Sequence, residues 1–426
     1  MITVIMAGGK GTRIASVASD VPKPMIHIAG KPILEYTIEV LARQGYTDII
    51  MVVGHLGQTI QDYFGDGTKW SVSISYIVED TPLGTAGALY YLKDRIDEDF
   101  LLLNGDLIFD IDITKFCEQH KENHCIATIL THPNSHPYDS GLIEADDRGK
   151  VTRWLAKEDE RLWYHNRVNA GLHMLSPQVF QYFTTLCKLD LDRDILRQLI
   201  SEGQLYVYDS PEYVKDMGTP DRYEAVQQDL VSGRVAQRNL VKCQRAIFLD
   251  RDGTINKYVG FLNQIEQFEL LEGVAEGIKR INNSGYLAIV VTNQPVIARG
   301  EVTVDELQKI HNKMETLLGQ EGAYVDDIFY CPHHPHSGYE GEVRELKIDC
   351  SCRKPKPGML LEAAQKYHID LSKSWMIGDG DSDMQAGMAA GCKVAGIGDK
   401  ITDPKIPTYP GLRECVDAIL KDADKL

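Results

Sequence analysis

The sequence predicts an α/β protein with two domains. Two short apolar runs, ITVIMAGGKG from residue 2 and RAIFLDRDGT from residue 245, each look like a first strand that ends in a reactive loop. After each of them, apolar runs of four to six residues alternate with segments of helical periodicity, which indicates parallel sheets. Because ligands of open α/β sheets bind where the strands end, we expect one site at each loop.

The individual elements follow this alternation along the chain. In the first half, helical patterning covers 32–44, and IIMVVG (49–54) and FLLLNGD (100–106) are predicted buried strands. In the second half, the pattern predicts a helix from residue 274, a strand at 286–293 and a strand that ends in acids within 374–383. The stretch 231–244 is polar and lacks a long apolar period. We therefore place the first domain at 1–232, a linker at 233–244 and the second domain at 245–426.

Composition and charge exclude several classes of function. The formal net charge of −17 argues against broad binding to nucleic acid, which needs a positive surface. The N-terminal apolar run is shorter than the ~7–15 residues of a secretory signal, and no segment approaches the ~20 apolar residues of a membrane span. We expect a cytoplasmic enzyme that acts on small molecules. The sequence says nothing about its oligomeric state.

The first loop has the composition of a triphosphate site. AGGKGTR (7–13) follows the first strand, and its glycines allow backbone N–H groups to approach phosphates closely. Arg13 lies in this loop, and Lys23 follows in VPKP, where two prolines stiffen the backbone around the lysine. A fixed cation beside a glycine loop predicts a nucleotide-binding site.

Further motifs in the first half carry a family resemblance. GGKGTR and PKP are followed in order by PLGTAGAL (82–89), NGD (104–106), NAG (169–171) and DMGTP (216–220). Over roughly residues 1–230 the chain resembles the sugar-1-phosphate nucleotidyltransferases. The resemblance implies a Rossmann-like fold. It also implies a reaction in which a sugar 1-phosphate oxygen attacks the α-phosphorus of a nucleoside triphosphate and pyrophosphate leaves.

The resemblance also implies roles for individual residues. Asp106 and Asp216 would hold Mg²⁺, and Arg13 and Lys23 would stabilise the phosphates during catalysis. The base and ribose would be framed by Ala7, Gly8, Gly9, Gly11, Thr12, Leu83, Gly84 and Thr85. The sugar phosphate would be met by Gly141, Lys157 and Asn169. The family often has a glutamate immediately before this lysine, whereas this chain has Ala156.

The second loop places two carboxylates at a strand end. In FLDRDGT, Asp250 and Asp252 are two residues apart, a spacing that can aim both into one pocket. One carboxylate can attack phosphorus, and the other can protonate the leaving oxygen and then activate water. VTN (291–293), RKPKPG (353–358) and GDGDSD (378–383) follow in order. Over about residues 245–400 the chain thus resembles the haloacid dehalogenase phosphatases, which implies a Rossmannoid fold.

This second resemblance assigns Asp250 as the nucleophile and Asp252 as the acid and base. Lys354 would neutralise charge at the nucleophile. Mg²⁺ would be held by Asp250, Asp379 and the backbone carbonyl of Asp252, with Asp383 as a supporting acid. The phosphoryl group would be held by Thr292 and Asn293.

A third cluster predicts a structural metal. Cys331-x-His333 and Cys350-x-Cys352 supply three thiols and one imidazole, a complete tetrahedral set for Zn²⁺. A disulfide explanation is weaker, because a cytosolic context is reducing and three cysteines leave one unpaired. His334 or His336 could replace His333. The predicted zinc would fix the loop that carries Arg353 and Lys354.

The zinc loop narrows the second resemblance to the branch that holds heptose bisphosphate 7-phosphatases and histidinol phosphatases. It implies substrate contacts from Tyr258, Val259, Gly260, Phe261, Thr292, Asn293, Gln294, Pro295 and Arg353. Pro295 and Val296 stand where Ser-Gly is expected of the heptose branch.

The two resemblances fit one reaction sequence. In the first half, PKPM (22–25) and EDTPLGTAGAL (79–89) resemble the D-glycero-α-D-manno-heptose-1-phosphate guanylyltransferases, which would use GTP and the product of a heptose bisphosphatase. We therefore expect a bifunctional enzyme of GDP-heptose synthesis with Mg²⁺ in both domains and Zn²⁺ in the second. Three alternatives remain open: another sugar 1-phosphate such as mannose or glucose, histidinol phosphate as the phosphatase substrate, or one domain that is a non-catalytic binding module.

Overall fold

The computed structural model describes residues 1–8, 21–338 and 340–423 of the chain. The chain divides into two compact units. The first comprises Met1–His132, Ile143–Leu155 and Asn169–Asn239, and the second comprises Pro133–Leu142, Ala156–Val168 and Leu240–Leu426. Within the described ranges, no helix combines the length and the apolar character needed to cross a membrane.

The first unit is built on a mixed β-sheet. Its strands are β1 (Ile2–Met6), β2 (His27–Ile28), β3 (Lys31–Pro32), β4 (Asp48–Val53), β5 (Ser73–Val78), β6 (Phe100–Asn104), β7 (Leu107–Asp110), β8 (Ala127–His132), β9 (Leu142–Ala145), β10 (Val151–Leu155), β11 (Val168–Leu175), β12 (Leu205–Asp209) and β13 (Tyr213–Asp216). Its helices are α1 (Ile33–Arg43), α2 (Gly57–Phe64), α3 (Ile113–Asn123), α4 (Arg197–Glu202), α5 (Pro220–Val231) and α6 (Arg234–Gln237).

The predicted parallel pairing holds in the centre of this sheet. The main path runs β10-β9-β11-β6-β1-β4-β5, and β1 is parallel to both β4 and β6. Strand β11 is antiparallel to β6, so the sheet is mixed rather than wholly parallel as expected. Val4 and Ile5 belong to two different buried clusters, which shows that side chains cover both faces of β1. The continuous apolar runs of the sequence result from this two-sided burial.

One buried histidine makes the stability of the first unit depend on pH. His173 of β11 is 2% exposed, and burial lowers its pKa from 6.5 to about 4. The unfolded chain therefore binds a proton that the folded chain does not, and stability falls as pH drops below 6.5. We expect the free energy of unfolding to fall by about 2 kcal/mol between pH 6.5 and 5 from this group. Urea unfolding of H173L should lack this component, whereas H55L, at an exposed position, should keep it.

The second unit contains a fully parallel sheet. Its strands are β14 (Arg245–Leu249), β15 (Tyr286–Asn293), β16 (Asp327–Cys331), β17 (Trp375–Gly378), β18 (Lys393–Ile397) and β19 (Thr408–Tyr409). Its helices are α7 (Val274–Asn282), α8 (Val304–Gln320), α9 (Gly358–Tyr367), α10 (Asp381–Ala390) and α11 (Leu412–Ala423). The strand order is β16-β15-β14-β17-β18-β19, and every pairing is parallel, as the sequence predicts.

Helix α8 also supports the two segments 133–142 and 156–168 of this unit. The helix starts at a capping box formed by Thr303 and Glu306. Further along it, Glu315 is 1% exposed, and its carboxylate lies 2.7 Å from His165 Nδ1 and 3.4 Å from Arg167 Nη1. The Tyr164 N–H donates to Thr316 Oγ1 at 3.0 Å. A buried carboxylate needs such partners, so this cluster fixes the segment to the helix.

Candidate active sites

The C-terminal ends of β1, β4 and β5 meet at one edge of the first sheet. A Cβ placed on Gly8 would lie 2.5 Å from Glu79 Oε2, so a side chain at this position would displace the carboxylate. The Leu83 N–H donates to Glu79 Oε1 at 3.3 Å, and Glu79 is half-buried. Burial raises the pKa of Glu79, opposed by the hydrogen bond from Leu83. Among the residues that the structure describes, no ion pair to Glu79 is found.

The predicted magnesium ligands of the first unit both lie near Lys23. Strands β7 and β13 pair antiparallel with Asp216 opposite Leu107, the residue that follows Asp106 in the sequence. Lys23 forms an ion pair with Asp106, and Arg222 Nη1 lies 2.8 Å from Asp216 Oδ2. Although burial opposes it, Arg222 and Lys23 lower the pKa of Asp216. The two carboxylates offer the hard oxygen ligands that Mg²⁺ prefers, so this donor set fits the predicted ion.

Other predicted contacts of the first half have separate locations. Ala7 is buried, and the turn at Gly84 has φ +82° and packs against the backbone of Leu189. Asn169 Nδ2 donates to Asp192 Oδ1 at 3.2 Å, and burial together with Asp190 raises the pKa of Asp192 to about 6. The predicted residues Gly9, Gly11, Thr12 and Arg13 lie outside the described residues. Gly141 and Lys157 belong to the second unit, whereas Asn169 belongs to the first.

In the second unit, Asp250 follows β14 at the centre of the sheet. Lys354 is 3% exposed, and its Nζ donates to Asp250 Oδ1 at 2.7 Å and lies 2.6 Å from Asp383 Oδ1. Burial and the neighbouring Asp383 raise the pKa of Asp250 to about 7, against the effect of Lys354. Burial acts to lower the pKa of Lys354, but the two carboxylates raise it. The nucleophile predicted from the sequence thus lies within reach of the predicted lysine.

This site carries a surplus of negative charge that a divalent cation would balance. Oxygen atoms of Asp250, Asp379 and Asp383 lie within 4.8 Å of one another. Lys400 Nζ lies 2.6 Å from Asp379 Oδ2 on the more exposed side. Gly253 has φ +88° and faces Asp379, where any Cβ would collide with the carboxylate. The oxygen donors and the uncompensated charge both fit Mg²⁺.

The predicted acid and base, Asp252, is held by three donors. Arg251 Nη2 donates to Asp252 at 2.9 Å, Gln294 Nε2 at 2.9 Å and Asn256 Nδ2 at 3.0 Å. Gln294 is 2% exposed and also donates to Thr292 Oγ1 at 2.9 Å. The predicted substrate contact Gln294 therefore uses its amide within the protein.

Asn293 and the other predicted substrate contacts of the second unit lie in the loops around the phosphatase site. Asn293 Nδ2 donates to the Lys354 carbonyl, and Asn293 Oδ1 accepts from the Lys354 N–H, both at 3.0 Å. Asn293 therefore positions Lys354. Tyr258, Val259 and Phe261 are exposed. The guanidinium carbon Cζ of Arg299 lies 4.2 Å from the ring centre of Phe261. The Pro295 carbonyl accepts from the Arg299 N–H at 3.0 Å.

The predicted zinc ligands form one compact cluster. Strand β16 ends at Cys331, and the ligand atoms of Cys331, His333, Cys350 and Cys352 lie within 4.8 Å of one another. Individual separations run from 3.3 to 3.7 Å, close to the ~3.8 Å between sulfurs around a tetrahedral zinc with ~2.3 Å bonds. All nine cysteines are free of disulfides. Arg353 Nη1 donates to the His333 carbonyl at 3.2 Å, which connects the cluster to the residue preceding Lys354.

Several residues at these sites were not found from the sequence. Glu79 stands in a run of charged turn residues, and Arg222 follows the DMGTP motif in a helix. Arg251 lies between the two aspartates in the sequence. A charged residue is expected to be exposed to solvent, but Arg251 is fully buried. A signal was present for Arg251, since a charged residue inside a reactive loop after a buried strand has little access to water.

Comparisons with known proteins match the two halves of the chain to different families. The "Nucleotidyl transferase" family model matches residues 2–233, and the HAD-hydrolase-like model matches residues 351–413. The D-glycero-β-D-manno-heptose-1,7-bisphosphate 7-phosphatase of Escherichia coli (strain K12) is 44% identical over 151 residues, which cover 35% of this chain and 77% of that protein.

Two further comparisons concern the first half. A UTP–glucose-1-phosphate uridylyltransferase from Synechocystis is 31% identical over 243 residues, which cover 53% of this chain and 63% of that protein. The crystal structure of HddC from Yersinia pseudotuberculosis complexed with GMP-PN is 28% identical, with a TM-score of 0.47 and coverage of 54% of this chain and 99% of that chain. The chain thus belongs to the nucleotidyl transferase family and carries, in the same polypeptide, a phosphatase domain of the haloacid dehalogenase type that belongs with the heptose bisphosphate 7-phosphatases.

Proposed function

We propose that the two domains catalyse consecutive steps in GDP-heptose synthesis. The second domain hydrolyses the 7-phosphate of D-glycero-α-D-manno-heptose 1,7-bisphosphate. The first domain transfers GMP from GTP to the resulting heptose 1-phosphate and releases pyrophosphate. The observation that carries this proposal is the presence, in one chain, of a phosphatase centre around Asp250 and of two carboxylates, Asp106 and Asp216, that both lie near Lys23.

The phosphatase centre accounts for the first step. An oxygen of Asp250 attacks phosphorus, the bond to the sugar oxygen breaks, and Asp252 gives its proton to that oxygen. Water then attacks the phosphorus, Asp252 takes its proton, and the bond to Asp250 breaks to release phosphate. Lys354 offsets the negative charge that accumulates when a carboxylate approaches a phosphate. Mg²⁺ held by Asp250 and Asp379 would add further charge neutralisation.

The transferase centre accounts for the second step. Lys23 forms an ion pair with Asp106, and its charge lowers the pKa of Asp216. A cation therefore lies near both carboxylates. Transfer of a nucleotidyl group mainly needs positioning and neutralisation of developing charge, which Lys23 would supply at the phosphates. Mg²⁺ held by Asp106 and Asp216 would bind phosphate oxygens in the same place.

The carboxylate of Glu79 supports guanine as the base. A carboxylate only accepts hydrogen bonds, and it offers two acceptors side by side. Guanine presents two adjacent donors, N1–H and the N2 amino group, to such a pair. Uracil and thymine present one N–H between two carbonyl oxygens, which a carboxylate would repel. Because Glu79 lies beside Gly8 of the nucleotide loop, its chemistry favours GTP over UTP.

The α-anomer is proposed because the guanylyl route requires it. A phosphatase fused to a guanylyltransferase should deliver the anomer that its partner domain consumes. The similar phosphatase from E. coli is named for the β-anomer, so both anomers belong in the test. Fusion also raises the local concentration of the intermediate.

Alternative functions make different predictions. A transferase for glucose or mannose 1-phosphate would release pyrophosphate with those sugars and not with the heptose. Histidinol phosphate would release phosphate without producing a sugar nucleotide. If one domain is a non-catalytic binding module, its substrate would bind but not turn over. The acids present in both halves favour two catalytic domains.

The test is a single reaction followed by mass spectrometry. Purified protein is incubated with Mg²⁺, GTP and either the α- or the β-anomer of the heptose 1,7-bisphosphate. GDP-heptose formed from the α-anomer supports the whole proposal. Phosphate release without GDP-heptose supports only the phosphatase and calls for a panel of nucleotides. No phosphate from either anomer would reject heptose bisphosphate as the substrate.

Loss of the zinc cluster should weaken the phosphatase and spare the transferase. In C352S, one of four ligands is lost immediately before Arg353 and Lys354, so the lysine loop should lose its fixed position. We expect zinc content to fall and the rate of phosphate release to drop by about 10-fold or more, by analogy with lost support around metal sites. Pyrophosphate release should be unchanged. C187S, an exposed free cysteine, is the matched control.

A further inference from the structure

The guanidinium of Arg251 is buried at the phosphatase centre, although neither resemblance assigned it a role. Arg251 is 0% exposed and is among the largest fully buried side chains of the described chain. A buried charge is costly unless every donor is used, so its partners indicate what it does.

The partners of Arg251 divide into two sides. On one side, Nη2 donates to the two oxygens of Asp252 at 3.0 and 2.9 Å, and Nε donates to Asp252 Oδ1 at 3.3 Å. On the other side, Nη1 donates to Nε2 of His311, on helix α8, at 3.3 Å. Nη2 also donates to Gln294 Oε1 at 3.1 Å. The guanidinium therefore connects the reactive loop after β14 to a rigid helix and to the loop after β15.

His311 is suited to accept this hydrogen bond. It is 2% exposed, and burial followed by the charge of Arg251 lowers its pKa well below 6.5. A neutral imidazole has one nitrogen that accepts, whereas a protonated one would only donate and would repel the guanidinium. Helix α8 thus presents a fixed acceptor that orients Arg251.

We propose that Arg251 is a positioning residue that fixes the carboxyl group of Asp252 for proton transfer, with His311 holding the guanidinium in place. The inference rests on the proposed role of Asp252 as acid and base. Two-point contact with a planar guanidinium restricts the rotation of a carboxylate more than single hydrogen bonds do. Asp252 must be in the same place twice, first to protonate the sugar oxygen and then to take a proton from water. Misplacement of a catalytic group by ~1 Å can cost about 100-fold in rate.

The test is a double-mutant cycle on phosphate release. R251M removes the charge and every N–H donor of the guanidinium while keeping similar length. We expect kcat to fall about 100-fold with little change in KM, since general acid–base catalysis contributes about 10²–10⁴-fold. R251K should recover part of this loss. In the D252N background, R251M should have almost no additional effect, because there is no longer a carboxylate to position.

Controls separate positioning from folding. R245M makes the same change at the opposite end of β14, where Arg245 lies over the Tyr286 ring, and should leave kcat unchanged. Pyrophosphate release and zinc content in each variant report on folding. Should R251M fail to fold, H311L gives a second route, with a smaller loss of about 10-fold that also disappears in the D252N background.

The outcomes distinguish this inference from the proposed function. If R251M lowers kcat by the same factor with and without D252N, Arg251 does not act through Asp252 and the inference is wrong. If D252N alone leaves phosphate release intact, the assignment of Asp252 as acid and base is wrong, whatever Arg251 does.

Discussion

Replacing Asp250 with asparagine should abolish phosphate release and leave pyrophosphate release on a heptose 1-phosphate intact. Asparagine keeps the shape of the side chain but is too weak a nucleophile to form the phosphorylated intermediate. We expect at least a 10⁴-fold loss of phosphatase kcat, comparable to other losses of a nucleophile. Both activities are measured on the same preparation, by phosphate and pyrophosphate release. D305N, at an exposed position in the first turn of α8, is the control.

The same variant should not be less stable than the wild type. Asp250 is buried beside Asp383, and its raised pKa shows that its charge is unfavourable there in the absence of a cation. Asparagine removes one of the mutually repelling charges while Lys354 keeps Asp383 as a partner. Without Mg²⁺, the thermal midpoint of the second unit should therefore stay the same or rise. If both activities fall together while the protein remains folded, the division into two independent sites is wrong.

The sequence was informative where strands end in reactive loops. Asp250 and Asp379 follow neighbouring parallel strands, so the motifs alone were enough to bring them to one edge of the sheet. The four predicted zinc ligands could also be identified from the sequence, since the spacing of the cysteines and the histidine corresponds to a known coordination geometry. Local sequence and the rules of parallel sheets determine such features.

What remained hidden depends on contacts between distant parts of the chain. Arg251 becomes a buried positioning residue only because His311, 60 positions later, faces it from α8. The packing of segment 156–168 in the second compact unit likewise depends on Glu315, and the residues around Glu315 in the sequence do not indicate that it is buried. Charged residues are usually exposed, so only the tertiary structure reveals the ones that are buried.

Replacing Glu79 with glutamine should change the base preference of the transferase. The amide keeps one acceptor but converts the other into a donor, so guanine would lose one hydrogen bond and meet a facing N–H group. A charge-assisted hydrogen bond contributes about 1.5–3 kcal/mol, and an unpaired donor adds a further cost. We therefore expect kcat/KM for GTP to fall by about 100-fold. The amide matches the adjacent donor and acceptor of uracil, so activity with UTP should rise.

The measurement is pyrophosphate release with GTP and with UTP at fixed heptose 1-phosphate, for the wild type, E79Q and D80N. Asp80 is the exposed neighbour of Glu79. D80N removes the same charge as E79Q but at a residue that does not contact Gly8. An unchanged GTP-to-UTP ratio in E79Q would remove the structural support for guanine, because the carboxylate would then not face the base. A large fall in the GTP-to-UTP ratio of kcat/KM in E79Q, with no change in D80N or in phosphate release, would show that the side chain of Glu79, at the end of β5, selects the base.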